Sequence, residues 1–122
     1  MAELKDLIGK TMVSVVNKDD EEIIFTTIDG EQFKLYHWQN CCECVTVESI
    51  AGDLADLVGA PILMAEEATS QENPEGATIE YKDESFTWTF YKFATSKGYV
   101  DIRWYGRSNG YYSESVDFDK IR

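Results

Sequence analysis

Ile23-Ile24-Phe25-Thr26-Thr27-Ile28-Asp29-Gly30-Glu31-Gln32-Phe33-Lys34-Leu35-Tyr36-His37 has the composition of two strands joined by a tight turn. Two runs rich in β-branched and aromatic residues flank Asp29-Gly30, a dipeptide suited to a two-residue type I′ turn because both central positions need positive φ. Counting outward from that turn pairs Ile24 with Leu35 and Thr26 with Phe33 on one face. On the other face it pairs Ile23 with Tyr36 and Phe25 with Lys34. Apolar groups on both faces predict a hairpin inside a sheet rather than at its edge.

The flanking sequence extends this pattern. Leu4, Leu7 and Ile8 have helical spacing and Gly9 follows as a stop, so a short helical segment is expected first, then a strand over residues 11–16. The polar break from Asn17 to Glu22 leads into the hairpin. After it come a strand over 45–48, a short helix over 54–58 capped by Asp53 and closed by Gly59 and Pro61, and a strand over 62–65. Residues 66–76, with Ser, Gln, Asn, Pro and Gly and no periodicity, read as a long loop. Strands are expected over 77–82, 86–93, 99–105 and 111–118, the last two joined by an Asn109-Gly110 turn. That turn pairs Arg107 with Tyr112, Tyr105 with Glu114 and Arg103 with Val116, and leaves Val100, Ile102 and Trp104 on the core side. The expected fold class is α+β, mainly antiparallel hairpins with one or two short helices packed on the sheet, in a single globular domain spanning residues 1–122.

Charge narrows the function classes. With 11 Lys and Arg against 23 Asp and Glu, the formal net charge is -12. Such a field repels phosphate backbones and anionic headgroups, so general nucleic-acid or membrane binding is not expected. Basic protein partners fit it. Acids at turns, such as Asp19-Asp20-Glu21-Glu22, Glu66-Glu67 and Asp83-Glu84, would also suit imitation of DNA charge if arrayed, though turn-borne acids are ordinarily just solvated. The first seven residues contain acids and no signal-like apolar stretch, and charges interrupt every apolar run, so a cytoplasmic location is expected. Three cysteines within Cys41-Cys42-Glu43-Cys44 do not form a disulfide framework and fit a reducing compartment.

Two clusters carry chemistry. His37, Cys41, Cys42 and Cys44 are thiol and imidazole groups that could ligate zinc, but adjacent Cys41 and Cys42 point to opposite faces of an extended segment, and buried inert thiols are the plainer reading. A Cys-His nucleophile would also need an orienting group and oxyanion donors, which the sequence does not supply. The second cluster is Arg103, Tyr105, Arg107, Asn109 and Tyr112, where guanidinium groups beside aromatic rings would suit an anion or a nucleotide-like small molecule. Cross-strand stacking with an Arg103–Glu114 diagonal pair would use the same residues for stability alone. The chain has no Gly-rich phosphate loop, H-E-x-x-H, EF-hand or nucleophile elbow, so neither catalytic residues nor cofactors are assigned.

The motifs Cys41-Cys42-Glu43, Gly52-Asp53-Leu54-Ala55-Asp56-Leu57-Val58-Gly59, Thr87-Trp88-Thr89-Phe90-Tyr91-Lys92-Phe93 and Arg103-Trp104-Tyr105-Gly106-Arg107-Ser108-Asn109-Gly110-Tyr111-Tyr112-Ser113-Glu114 resemble a family of small bacteriophage and prophage proteins, a domain of unknown function. The resemblance implies no catalytic residue. It implies a non-enzymatic accessory protein in a bacterial host cell that acts by binding, as an inhibitor of a host or defence protein. A nucleotide-sequestering protein using the Arg/Tyr face and a metal or thiol protein are the alternatives. Oligomerisation through that face is left open.

Overall fold

Alternation of apolar and polar residues at period two, bounded by glycine and acidic turns, dictates strands throughout this chain. The structure is a computed structural model that describes residues 2–39, 43–70, 85–108 and 113–122. Eight strands form: β1 (Met12–Lys18), β2 (Glu22–Thr27), β3 (Gln32–Tyr36), β4 (Cys44–Ala51), β5 (Met64–Ser70), β6 (Ser85–Thr95), β7 (Gly98–Ser108) and β8 (Asp117–Lys120). They make two four-stranded antiparallel sheets, ordered β1-β2-β3-β8 and β4-β7-β6-β5. The inner faces pack together as a sandwich. Ile23, Phe25, Phe33 and Leu35 come from the first sheet, and Val45, Val47, Tyr91, Phe93, Val100, Ile102 and Trp104 from the second. Phe25 meets Phe93 across the layer at 5.3 Å between ring centres.

Two sequence expectations are corrected here. The helices at 4–8 and 54–58 are single 3-10 turns, Leu4–Leu7 and Leu54–Leu57, so the fold is mainly β rather than α+β. Neither segment has the length to nucleate a stable α-helix. Asp53 does cap the second turn, accepting from Ala55 N at 2.9 Å. Residues 66–70, read as loop, belong to β5. An edge strand buries only part of itself, so polar residues there are compatible with pairing.

The hairpin register also shifts by one. Phe25 faces Phe33 and Ile23 faces Leu35, while Thr27 N donates to Glu31 O. The loop therefore spans Ile28, Asp29 and Gly30, with Gly30 alone left-handed at φ +88°. A three-residue loop with its glycine in the left-handed region replaces the two-residue turn. The shift gathers Ile23, Phe25, Phe33 and Leu35 on the inner face. As expected, the hairpin lies inside its sheet. The left-handed pair is instead Asp19-Asp20, at φ 56° and 60°, in the preceding turn. There Asp20 O accepts from Val47 N of the opposite sheet.

Residues 113–118 do not make the expected pairing with β7, because β4 and β6 occupy both of its edges, and the expected Arg107–Tyr112 pair lies outside the described residues. The distant partner of β8 is β3, with Leu35 opposite Phe118. The expected 77–82 strand and the Asn109-Gly110 turn lie outside the described residues. Residues 113–116 pass over Gly106 on their way to the first sheet. A Cβ at Gly106 would sit 2.6 Å from Glu114 O and 3.2 Å from Val45 Cγ2. Gly106→Ala is expected to lower unfolding stability by about 1–3 kcal/mol, measured by denaturant titration, because the obstacle is backbone.

One ionic staple links the hairpin to both ends of the first sheet. Glu31 accepts from Lys10 Nζ at 2.7 Å and from Lys120 Nζ at 2.8 Å. These hydrogen bonds, that from Lys10 first, pull its carboxyl down to about 2 from the ordinary 4.5. A depressed acid stabilises the fold above its ordinary range and loses that contribution as the pH falls through the folded value. The difference in melting temperature between the parent and Glu31→Gln is therefore expected to hold at neutral pH and close between pH 4.5 and about 2. It should also shrink with added salt.

Candidate functional site

On β7 the inner residues Val100, Ile102 and Trp104 are fully buried, which places Tyr99, Asp101, Arg103, Tyr105 and Arg107 on the outer face. Pairing with β6 sets Phe86 opposite Arg107, Trp88 opposite Tyr105 and Phe90 opposite Arg103. The outer face of the second sheet thus carries interleaved aromatic and guanidinium groups. Tyr105 lies 4.6 Å from Trp88 and 6.1 Å from Phe86, ring centre to ring centre. The Arg103 guanidinium sits 5.1 Å from the Trp88 ring, within cation–π range. Trp88 is only 1% exposed, so the ring at the centre of this lattice is packed beneath half-buried neighbours.

A bulge between Val47 and Ser49 leaves Glu48 unmatched in the ladder. An extra residue re-aims a side chain. Here the Glu48 carboxylate accepts from Arg103 Nε at 2.6 Å. That hydrogen bond holds the Glu48 carboxyl below the usual carboxylate range, against the opposing effect of burial. Beside Arg103, a shallow cavity of about 480 Å3 is lined by Ser49, Ala68, Phe90, Lys92 and Arg103 together with the acids Glu66, Glu67 and Asp101.

Of the residues named from sequence, Arg103, Tyr105 and Arg107 do share this face. Asn109 and Tyr112 lie outside the described residues. Glu114 does not join them: its carboxylate accepts from Thr87 Oγ1 at 2.7 Å and from Ser108 Oγ at 2.6 Å, beside Gly106. The expected Arg103–Glu114 pair is replaced by Arg103–Glu48, since only the β4 partner lies on the guanidinium side. Phe86, Trp88 and Glu48 were not singled out from sequence. Alternation over 86–90 marks Phe86, Trp88 and Phe90 as one face, but nothing local shows that it adjoins Arg103.

The second cluster resolves differently. His37 and Glu43 form a buried pair, with side chains 4% and 0% exposed and Nε2 3.0 Å from Glu43 Oε2. Nδ1 lies 2.7 Å from the Ser115 carbonyl, which can only accept, so Nδ1 carries a hydrogen. Gln39 Nε2 donates to the other Glu43 oxygen at 3.2 Å. Both ring nitrogens are thus engaged, one by a carbonyl and one by a carboxyl, and His37 serves to clamp the 113–116 crossing to the start of β4. Cys44 is exposed on β4, and Cys41 and Cys42 lie outside the described residues. Among the described residues no group of three or more His, Cys, Asp or Glu is placed to hold a metal ion.

With this geometry in hand, comparison with known families is decisive on kinship. The profile of a domain of unknown function, DUF7448, matches residues 5–118. The chain belongs to the DUF7448 family. No curated protein and no solved structure matches it. In this DUF7448 domain the match runs from the first 3-10 turn into β8 and so takes in both sheets, the aromatic–guanidinium face and the His37–Glu43 clamp. No helix among the described residues is long and apolar enough to cross a membrane.

Proposed function

We propose that this DUF7448 domain acts by binding and not by turnover, as a phage-type accessory protein that occupies the surface of a host protein, most directly as an inhibitor of a defence system in the bacterial cytoplasm. The observation that carries this reading is the outer face of the second sheet, where Phe86, Tyr105, Arg103 and Arg107 are half-buried side by side around the buried Trp88 ring. Aromatic and arginine side chains already fixed by their neighbours lose little entropy on binding, and they dominate the energetics of protein interfaces. The resemblance to phage and prophage proteins supplies the setting. The net charge of -12 favours partners with basic surfaces and fast, salt-sensitive encounter.

An anionic small ligand is less favoured at the same face. Arg103 is already held by Glu48, and Glu66, Glu67 and Asp101 line the adjoining cavity. A nucleotide would bring more negative charge to that rim.

Capture from host lysate at low salt tests the proposal, with the parent and a Phe86→Ala/Tyr105→Ala double variant as paired baits. A protein retained by the parent and released by the variant is expected. Retention of the same proteins by both baits would count against the face, and a parent that retains nothing would count against binding as the mode of action.

A further inference from the structure

The first 3-10 turn, β3, β8 and β5 line a second cavity of about 500 Å3, which shares Glu67 with the first. Tyr36, Trp38 and Phe118 line it together with Glu3, Glu67, Asp117 and Asp119. Trp38 is 69% exposed, more than any other large apolar side chain among the described residues. Its backbone is held at the rim, where the Trp38 N–H donates to Asp117 Oδ2 at 3.0 Å. With Tyr36 and Phe118 in the cavity wall, the exposed indole extends an aromatic lining out to the solvent.

The carboxylates are the second half of the observation. Asp117 accepts from the Trp38 N–H, Asp119 from the Tyr36 hydroxyl, and Glu67 from the Tyr91 hydroxyl. Every one of these donors is neutral. Among the described residues none of the three acids has a lysine, arginine or histidine partner, whereas Glu3 pairs with Lys5 at 3.0 Å. Their common field is felt by the tyrosines they hold. The Tyr36 phenol is pushed up to about 12, first by its hydrogen bond to Asp119, then by burial, then by the charges of Asp119 and Asp117. The Tyr91 phenol is pushed up by burial first and by Glu67 next. Lys34 stands on this side, its Nζ 4.4 Å from the Tyr36 ring centre, but it is paired with Glu22 at 2.9 Å. Among the described residues the three cavity carboxylates therefore have no ion-pair partner of their own, and a further cation placed among them would be favoured.

We propose that this cavity receives an arginine side chain from a basic segment of a partner protein, with the guanidinium lying against the exposed Trp38 indole and its N–H groups directed at Asp117, Asp119 and Glu67. A guanidinium suits the site because it is planar and weakly hydrated, stacks on aromatic faces, and offers five donors to several carboxylates at once. The site shares Glu67 with the cavity beside Arg103, but Trp38, Asp117 and Asp119 lie outside that cavity, and variants at these three residues test it separately from the aromatic–guanidinium face.

The test uses a dye-labelled hexa-arginine peptide and its neutral citrulline counterpart, titrated against the whole protein by fluorescence anisotropy at low salt. Saturable binding of the arginine peptide and none of the citrulline peptide is expected. Trp38→Ala and an Asp117→Asn/Asp119→Asn variant are each expected to weaken binding ~10-fold or more. The amides keep acceptors for the Trp38 N–H and the Tyr36 hydroxyl, and Trp38 is exposed, so these variants should fold. An Asp19→Asn/Asp20→Asn variant removes two charges outside the cavity and is expected to leave affinity within about twofold. Absence of saturable binding, or equal loss in this remote variant and the cavity variants, would overturn the proposal.

Discussion

Phe93→Ala is expected to lower unfolding stability by about 3–5 kcal/mol, read as a shift in denaturant midpoint at unchanged slope. Phe93 is fully buried near the C-terminal end of β6 and packs on Phe25 of the other sheet at 5.3 Å and near Tyr91 at 6.2 Å. Removing its ring deletes the main aromatic contact between the layers. The cavity left behind cannot collapse easily, because β6 is hydrogen-bonded on both edges, to β5 and β7. A domain of this size has about 5–15 kcal/mol of stability in total, so the variant should be marginal at 37 °C. A loss below about 1 kcal/mol would mean that the two sheets do not pack through this residue.

Glu43→Ala is expected to cost about 3 kcal/mol or more. The carboxylate is fully buried, and its removal leaves His37 Nε2 in the same buried site with its partner gone. It also removes one of the acceptors of the Gln39 amide, which keeps the backbone carbonyl of residue 43, and loosens the clamp that His37 makes on Ser115 O. Glu43→Gln should cost less than alanine, since it keeps the volume and an acceptor within reach of Nε2. His37 is the sole histidine, so its ring signals in an NMR spectrum report on this contact without ambiguity. They are expected to show hydrogen-bonded Nδ1–H in the parent and to move in both variants. Equal stability of the parent and Glu43→Ala would contradict the clamp.

Local pattern made some of this legible and long-range pairing hid the rest. Alternation alone puts Val100, Ile102 and Trp104 inside and Arg103, Tyr105 and Arg107 outside, and the structure agrees because period two is a property of the backbone. The Asp29-Gly30 turn was readable as a turn but not by its length. A loop of two or of three residues suits the same dipeptide, and the choice inverts which side chains face inward. Burial decided it, since only the three-residue loop brings Phe25 and Phe33 to the same inner face. Pairing β8 with β3 joins Leu35 to Phe118 across most of the chain, and no local signal announces it. The Glu48 bulge, the Trp88–Tyr105 contact and the Trp38 cavity all depend on such non-local pairings, so the aromatic–guanidinium face could be half-drawn from sequence while its partners could not.

Binding through the outer face of the second sheet is tested most directly by titrating the captured host partner, in a calorimeter, against the parent and against Tyr105→Ala. Saturation at fixed stoichiometry with the parent, and a Kd weakened ~30-fold or more by the single substitution, corresponding to about 2 kcal/mol at an interface anchor, is the expected result. An unchanged Kd for a folded Tyr105→Ala protein would contradict it.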